Sequence, residues 1–161
     1  MDEEVAEVAR WVQALRLAPH PEGGFFRETY RSALTVGNRN VSTAIYFLIP
    51  RGNFSALHRI ASDELWHFHA GQALEIVTID DQGTRCDLRL GLDLERRERP
   101  QHRVLAGAWF GARLVDPSAS YALVSCTVAP GFDFEDFELA DRMRLTQRYP
   151  QHASVIAELT R

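Results

Sequence analysis

The sequence predicts a single mainly-β domain of the sandwich, jelly-roll or barrel type, with a helix at each end of the chain. Short β-branched and aromatic runs recur between about residues 25 and 139, and Gly, Pro and Asp turns separate them. Helical spacing of apolar residues is confined to the two ends. No internal repeat or low-complexity linker interrupts the pattern. At 161 residues the chain suits one domain, long enough to bury roughly two-thirds of its unfolded surface.

The elements follow in order. Val5, Val8, Ala9, Val12 and Leu15 repeat at helical spacing behind the acidic turn Asp2-Glu3-Glu4, which predicts an amphipathic helix over 3–17, within an N-terminal segment 1–18. Ala18-Pro19-His20-Pro21-Glu22-Gly23-Gly24 cannot continue it. Phe25–Arg31 alternates Phe25, Arg27 and Thr29 against Phe26, Glu28 and Tyr30. Val41–Ile49 is a second strand run, closed by Pro50-Arg51-Gly52-Asn53. Strands are expected over Ala73–Ile79 and Arg85–Leu90, joined by Asp80-Asp81-Gln82-Gly83. The charged segment Asp93–Pro100 reads as a solvated loop. Val104–Leu114 turns at Ala106-Gly107, and Tyr121–Val128 is stopped by Pro130-Gly131. The β region thus spans 25–139, and 141–161 forms a helical tail with Val155, Ile156 and Leu159 on one face.

Composition excludes some functions. A net charge of −4 disfavours nucleic acid or an anionic membrane as partner. All 18 basic residues are arginine, so no lysine is present for a Schiff base or a pyridoxal phosphate linkage. The acidic first residues and the absence of a long apolar run predict neither a signal peptide nor a membrane span. Cys86 and Cys126 lack metal-type spacing and read as reduced thiols of a cytoplasmic protein.

The stretch Gly52–Gly71, GNFSALHRIASDELWHFHAG, holds the chemistry. His58 and Glu64 fall on two extended segments joined by a short connection, so they can converge inside a β-barrel. Alternation places Glu64 with Trp66 and Phe68 on one face, and Leu65, His67 and His69 on the other. The pair His67 and His69 is therefore expected on an exposed strand face or dimer contact rather than beside Glu64.

The spacing Gly52, His58, Glu64, Gly71 resembles the first motif of the cupin superfamily. Ile60 occupies the second histidine position of that motif. Leu105-Ala106-Gly107-Ala108-Trp109-Phe110 is the best match to the second motif, with Phe110 where a histidine would stand. The stretches His20–Ser32, Ser55–Gly71, Pro100–Ala112 and Val124–Leu139 are similar to the cupin-5 type subfamily, over nearly the whole chain. That resemblance implies a double-stranded β-helix (a cupin jelly roll), a homodimer, a small-molecule ligand in the barrel cavity, and a shape like sugar-nucleotide epimerases of the dehydrorhamnose type.

Metal-binding cupins hold an ion with three histidines and a glutamate. Here only His58 and Glu64 remain of the four, fewer than the three protein ligands usual for catalytic zinc. No metal ligand set and no cofactor is expected. The resemblance instead implies a catalytic pair, with His58 as general base oriented by Glu64, in an isomerase- or epimerase-like enzyme on a carbohydrate-type substrate. Arg27, Tyr46, Trp66, Gln101, Trp109 and Phe110 are the expected ligand-binding residues. Arg59 is a further cation near the pocket, and Tyr30 or Tyr46 would be the acid. Phe132, Phe134 and Phe137 read as core or dimer packing. The alternatives are a non-catalytic ligand-binding or sensor cupin, and a metal-dependent cupin with a reduced ligand set.

Overall fold

Two antiparallel sheets face one another, and strand parity decides which side chains reach the space between them. The computed structural model describes residues 3–161. Asp2, part of the expected acidic first turn, lies outside the described residues, as does the side chain of Glu4. Helix α1 is Glu3–Ala14, three residues shorter than its periodicity predicts. The strands are β1 (Ala18–Pro19), β2 (Phe25–Arg31), β3 (Thr35–Val36), β4 (Arg39–Asn40), β5 (Thr43–Pro50), β6 (Ser55–Arg59) and β7 (Asp63–Gly71). After them come β8 (Leu74–Ile79), β9 (Arg85–Leu90), β10 (Gln101–Val104), β11 (Trp109–Leu114), β12 (Tyr121–Ala129) and β13 (Glu138–Leu139). The chain ends in α2 (Arg142–Arg148) and α3 (Ala153–Glu158).

The first sheet runs β1-β2-β5-β12-β7-β10 and the second β13-β6-β11-β8-β9. This is a mainly-β jelly roll, the double-stranded β-helix that the motif resemblance implies. Between the sheets lies a core that includes Phe47, Ile49, Trp66, Ile76, Phe110 and Val124. Trp66 and Phe110 are 1% exposed, so each contributes on the order of 2–3 kcal/mol through burial. A second cluster covers the outer face of the second sheet. There Leu57, Val77, Ile79 and Trp109 pack against Leu145, Val155, Ile156 and Leu159 of the tail. A third, around Leu48 and Leu123, seats α1 on the first sheet through Val8, Trp11 and Val12.

The expected helical tail is built as two short helices. Asp141 caps α2 by accepting from the Arg144 N–H at 2.8 Å, and the helix stops at Tyr149 because Pro150 has no N–H to donate. A 3-10 turn then leads into α3. This break lets both short helices follow the curved sheet.

Parity along β2 and β5 settles several side chains. Phe26 of β2 and Ile45 and Phe47 of β5 face the core, so their neighbours Arg27 and Tyr46 face outward. The pairing of β2 with β5 shifts register between Glu28 and Tyr30. That irregularity turns Tyr30 to solvent, 55% exposed, and brings Arg31 back toward the core side with Glu28.

Candidate active site

His58 stands on the inner face of β6, where the parity that buries Leu57 and turns Arg59 out under the tail leaves it facing the core. Its Nδ1 lies 2.7 Å from the Ala56 carbonyl oxygen. A carbonyl only accepts, so Nδ1 carries a proton. Nε2 lies 2.8 Å from Oε2 of Glu22, and both side chains are buried. The carboxylate partner of His58 is therefore Glu22, not Glu64.

Glu22 comes from the loop between β1 and β2, which is held in place from several sides. The Ala56 N–H donates to the Glu22 carbonyl at 2.8 Å, so one residue fixes both members of the pair. Arg161 donates to the same carbonyl at 2.6 Å, and to Asn53 and the Phe54 carbonyl at 3.0 Å each. Within the loop, His20 N–H meets the Gly24 carbonyl and Gly23 N–H meets the His20 carbonyl, both at 3.0 Å. Gly23 has φ +112, and a Cβ there would collide with the Phe54 carbonyl and the Arg161 guanidinium. Only glycine fits between them.

The electrostatics follow from this pairing. Burial pushes the His58 pKa down, but the Glu22 carboxylate and its hydrogen bond, with Glu64 further off, raise it above the ordinary value. Burial pushes Glu22 up, yet His58 outweighs it and holds the carboxyl below its ordinary value. The result is a buried imidazolium–carboxylate pair. Glu64, inward on β7 across from Val128, lacks such a partner. Burial raises its pKa to about 7, with Glu22 adding to the rise and His58 and the Cys126 thiol opposing it. Cys126 is pushed well up by burial and then by the Glu64 charge, so its thiol stays protonated.

These groups form the floor of a cavity of about 70 Å³. His20, Glu22, His58, Glu64 and Cys126 supply its polar atoms. Phe26, Ile45, Val128, Phe132 and Phe137 wall it, and Phe134, 55% exposed, stands at its mouth with Glu28 and Arg31. A wider groove of about 550 Å³ runs beside Thr78, Arg103 and Leu105, but none of its lining groups is a buried acid or base.

The expected ligand-binding residues lie elsewhere. Arg27 reaches outward to the Leu15 carbonyl at 3.0 Å. Tyr46 lies on the same outer face, its ring 6.4 Å from that of His69. Gln101 bonds His67 Nδ1 at 3.1 Å, outside the barrel. Trp109 lies under the tail, with the Arg59 guanidinium 4.5 Å above its ring, so neither reaches the cavity. Trp66 and Phe110 do face the interior, but as core residues. The Phe110 ring packs 4.1 Å from that of His58, while the buried Trp66 N–H has no hydrogen-bond partner among the described residues. Tyr30 is exposed. His67 and His69 sit on the face opposite Glu64, within 3.1 and 2.7 Å of Thr127 and Ser125 hydroxyls.

A metal of the kind the motif resemblance implies does not fit these residues. Both ring nitrogens of His58 already have partners, Ile60 is buried and apolar, and Phe110 packs on the imidazole. Among the described residues no group of three or more His, Cys, Asp or Glu side chains is arranged to hold an ion.

Sequence reasoning missed His20, Glu22 and the Phe132–Phe137 wall as parts of the site. The signal lay in His20-Pro21-Glu22-Gly23-Gly24 itself. A carboxylate between a proline and two glycines is held by a stiff, closely packed loop, not by the solvated turn that such composition usually marks.

Fold and site together define a cupin with a buried acid–base pocket at one end of the barrel. The chain belongs to the Cupin_5 family, described as Cupin superfamily (DUF985), whose profile matches residues 9–140. A crystal structure of protein SO0799 from Shewanella oneidensis superposes with a TM-score of 0.90 at 43% identity, over 94% of this chain and 95% of that one. A hypothetical protein from Leishmania major superposes with a TM-score of 0.88 at 39% identity, over 94% of this chain and 97% of that one. The uncharacterized protein YML079W of Saccharomyces cerevisiae is 30% identical over 155 residues, 84% of this chain and 76% of its own.

Proposed function

We propose that this cupin is a small-molecule isomerase of the proton-transfer type, acting on the carbonyl end of a carbohydrate-like substrate. The observation that carries the reading is that one cavity is lined by two buried carboxyls in different surroundings. Glu22 lies 2.8 Å from His58 and is held ionised, while Glu64 has no such ion pair and is raised by burial to about 7. His58, with both nitrogens engaged, serves as a fixed positive charge and not as the base.

In this reading the Glu64 carboxylate takes the proton from the carbon next to the carbonyl. The C–H electron pair becomes the C=C of an enediol-type intermediate, and the carbonyl oxygen gains the negative charge. The proton of the adjacent hydroxyl passes to that oxygen, and the Glu64 carboxylic acid returns its proton to the former carbonyl carbon, so the hydroxyl-bearing carbon becomes the new carbonyl. No redox partner is needed. One carboxyl working from one side suits a 1,2-shift between aldose and ketose. Epimerisation would need a second acid on the opposite face, and both candidate tyrosines lie outside the cavity.

The test is a panel of free aldoses and ketoses incubated with the protein in D2O, with deuterium at the carbon next to the carbonyl read by NMR. Exchange that Glu64→Gln abolishes is expected. If no sugar exchanges, the pocket is a ligand-binding site and the isomerase reading is wrong.

A further inference from the structure

We infer that His20 is the group that grips the ligand, as a neutral donor through Nε2–H, and that the ligand atom it takes is an uncharged carbonyl or hydroxyl oxygen. The role of that oxygen in catalysis rests on the isomerase reading above. The assignment of the donor does not.

The geometry comes first. The Glu22 backbone N–H donates to His20 Nδ1 at 3.1 Å. The Glu22 carboxylate, at 3.7 Å from Nδ1, is beyond hydrogen-bond reach, so Nδ1 offers its lone pair to the N–H and in the neutral ring the proton sits on Nε2. Nε2 meets no protein acceptor among the described residues, and His20 lines the cavity. The ring is held edge-on to Phe26, Phe47 and Phe137, with centroids at 4.4, 5.8 and 6.1 Å. An oriented N–H donor thus points into a cavity without an acceptor of its own.

The charges around it favour the neutral ring. Burial lowers the His20 pKa, Glu22 acts to raise it, and the positive His58 lowers it again, with a net fall. The remaining groups facing the cavity are Glu64, Cys126, Glu28 and Arg31. A neutral imidazole donor suits a carbonyl oxygen that becomes negative during reaction, because it donates at once and gives up no proton.

The same inventory decides the class of ligand. His58 and Glu22 cancel, and Glu64 adds negative charge at neutral pH. At the mouth Arg31 already donates to both Glu28 oxygens at 2.8 and 2.9 Å, to Asn40, and to the Phe132 carbonyl. Arg39 beside it is paired with Asp136. A carboxylate or phosphate would meet negative charge inside and occupied guanidinium groups at the rim. An uncharged oxygen would meet neither obstacle.

The experiment has two parts on the full chain. Long-range 15N–1H NMR of the histidine rings reads the tautomer directly. His20 is expected as neutral Nε2–H at pH 7. A protonated Nδ1, in either a neutral ring or an imidazolium, overturns the donor assignment whatever the protein catalyses. Dihydroxyacetone and D-glycerate are then titrated into the millimolar range. Dihydroxyacetone should bind and shift the His20 Nε2 signals, and glycerate should not. His20→Phe keeps the aromatic cage and should weaken the uncharged probe about tenfold, the loss of one neutral hydrogen bond. His20→Gln, whose amide N–H reaches the same region, should restore most of it. Glycerate binding as well as dihydroxyacetone, equal binding to His20→Phe, or failure of both probes to bind overturns the ligand class. If the tautomer and binding results hold while no sugar exchanges deuterium, the isomerase reading fails alone.

Discussion

Replacing Glu22 by Gln keeps the shape of the loop and removes the anion under His58. At 2.8 Å, and at an effective dielectric of about 20, the attraction lost is about 6 kcal/mol. Desolvation of both ions already offsets most of that in the wild type, so the pair's net contribution is smaller than its attraction. Removing one partner of such a pair usually destabilises by about 3–5 kcal/mol. Here His58 has an escape, because burial favours losing its proton once the anion is gone. The signs are definite. The raised His58 contributes stability that is complete below its unfolded value of 6.5 and is lost as pH climbs through its folded value. The lowered Glu22 contributes stability present above 4.5 and lost as pH falls through its folded value. Glu22→Gln should therefore cost about 3 kcal/mol between pH 4.5 and 6.5, and less on the alkaline side of the folded His58 titration. Urea unfolding at pH 5.5 and at a pH above the His58 titration measures both, that second pH being set by an NMR titration of the His58 ring. The titration should move to lower pH in the variant. An equal loss of stability at the two pH values, together with an unmoved His58 titration, would refute the ion pair.

Glu64→Gln should act in the opposite direction. A carboxyl raised from 4.5 to about 7 by burial costs about 3 kcal/mol of stability above pH 7, at 1.36 kcal/mol per unit. The amide should recover much of that at pH 8 and little at pH 4.5, read by denaturant unfolding at both. Gly23→Ala should destabilise by more than about 2 kcal/mol, because its Cβ has no space and its φ is left-handed; a midpoint unchanged in thermal unfolding would contradict this. A second copy of the chain should cover β2, whose far edge pairs with β1 at Phe25 and Phe26 and, among the described residues, with no strand along Arg27–Arg31. Light scattering should give a dimer mass at micromolar concentration, and a monomer mass throughout would count against it.

Much of the architecture was legible because parity and turn chemistry are local. His58 and Glu64 point inward, and His67 and His69 outward, as alternation along β6 and β7 requires. The same rule, applied to Phe26 and Phe47, would have turned Arg27 and Tyr46 away from the cavity. Resemblance to the epimerases implies the opposite placement, and strand parity overrides it. Gln101 was misplaced because β10 pairs with β7 at the sheet edge, where Gln101 meets His67 on the outer face. Glu22 was not legible as the partner of His58. No spacing rule connects a loop carboxylate to a distant strand; the Ala56 and Arg161 hydrogen bonds, with the turn bonds inside the loop, bring them together. Trp109 and Trp66 carried an ambiguity that sequence cannot resolve, since an aromatic side chain fills core volume and ligand pockets equally well. The aromatic wall at Phe132 and Phe137 looked like packing for the same reason. No helix among the described residues is long and apolar enough to cross a membrane.

The central claim is that Glu64, and not His58, is the group that exchanges protons near neutral pH. Selective 13C labelling of glutamate, with Glu64→Gln to assign the signal, follows the Glu64 carboxyl through a pH titration in the resting protein. The Glu64 titration is expected to centre at about pH 7, with Glu22 gaining its proton below its ordinary 4.5. A Glu64 carboxyl that titrates at an ordinary 4.5, or a Glu22 carboxyl that gains its proton near 7 in its place, would contradict it.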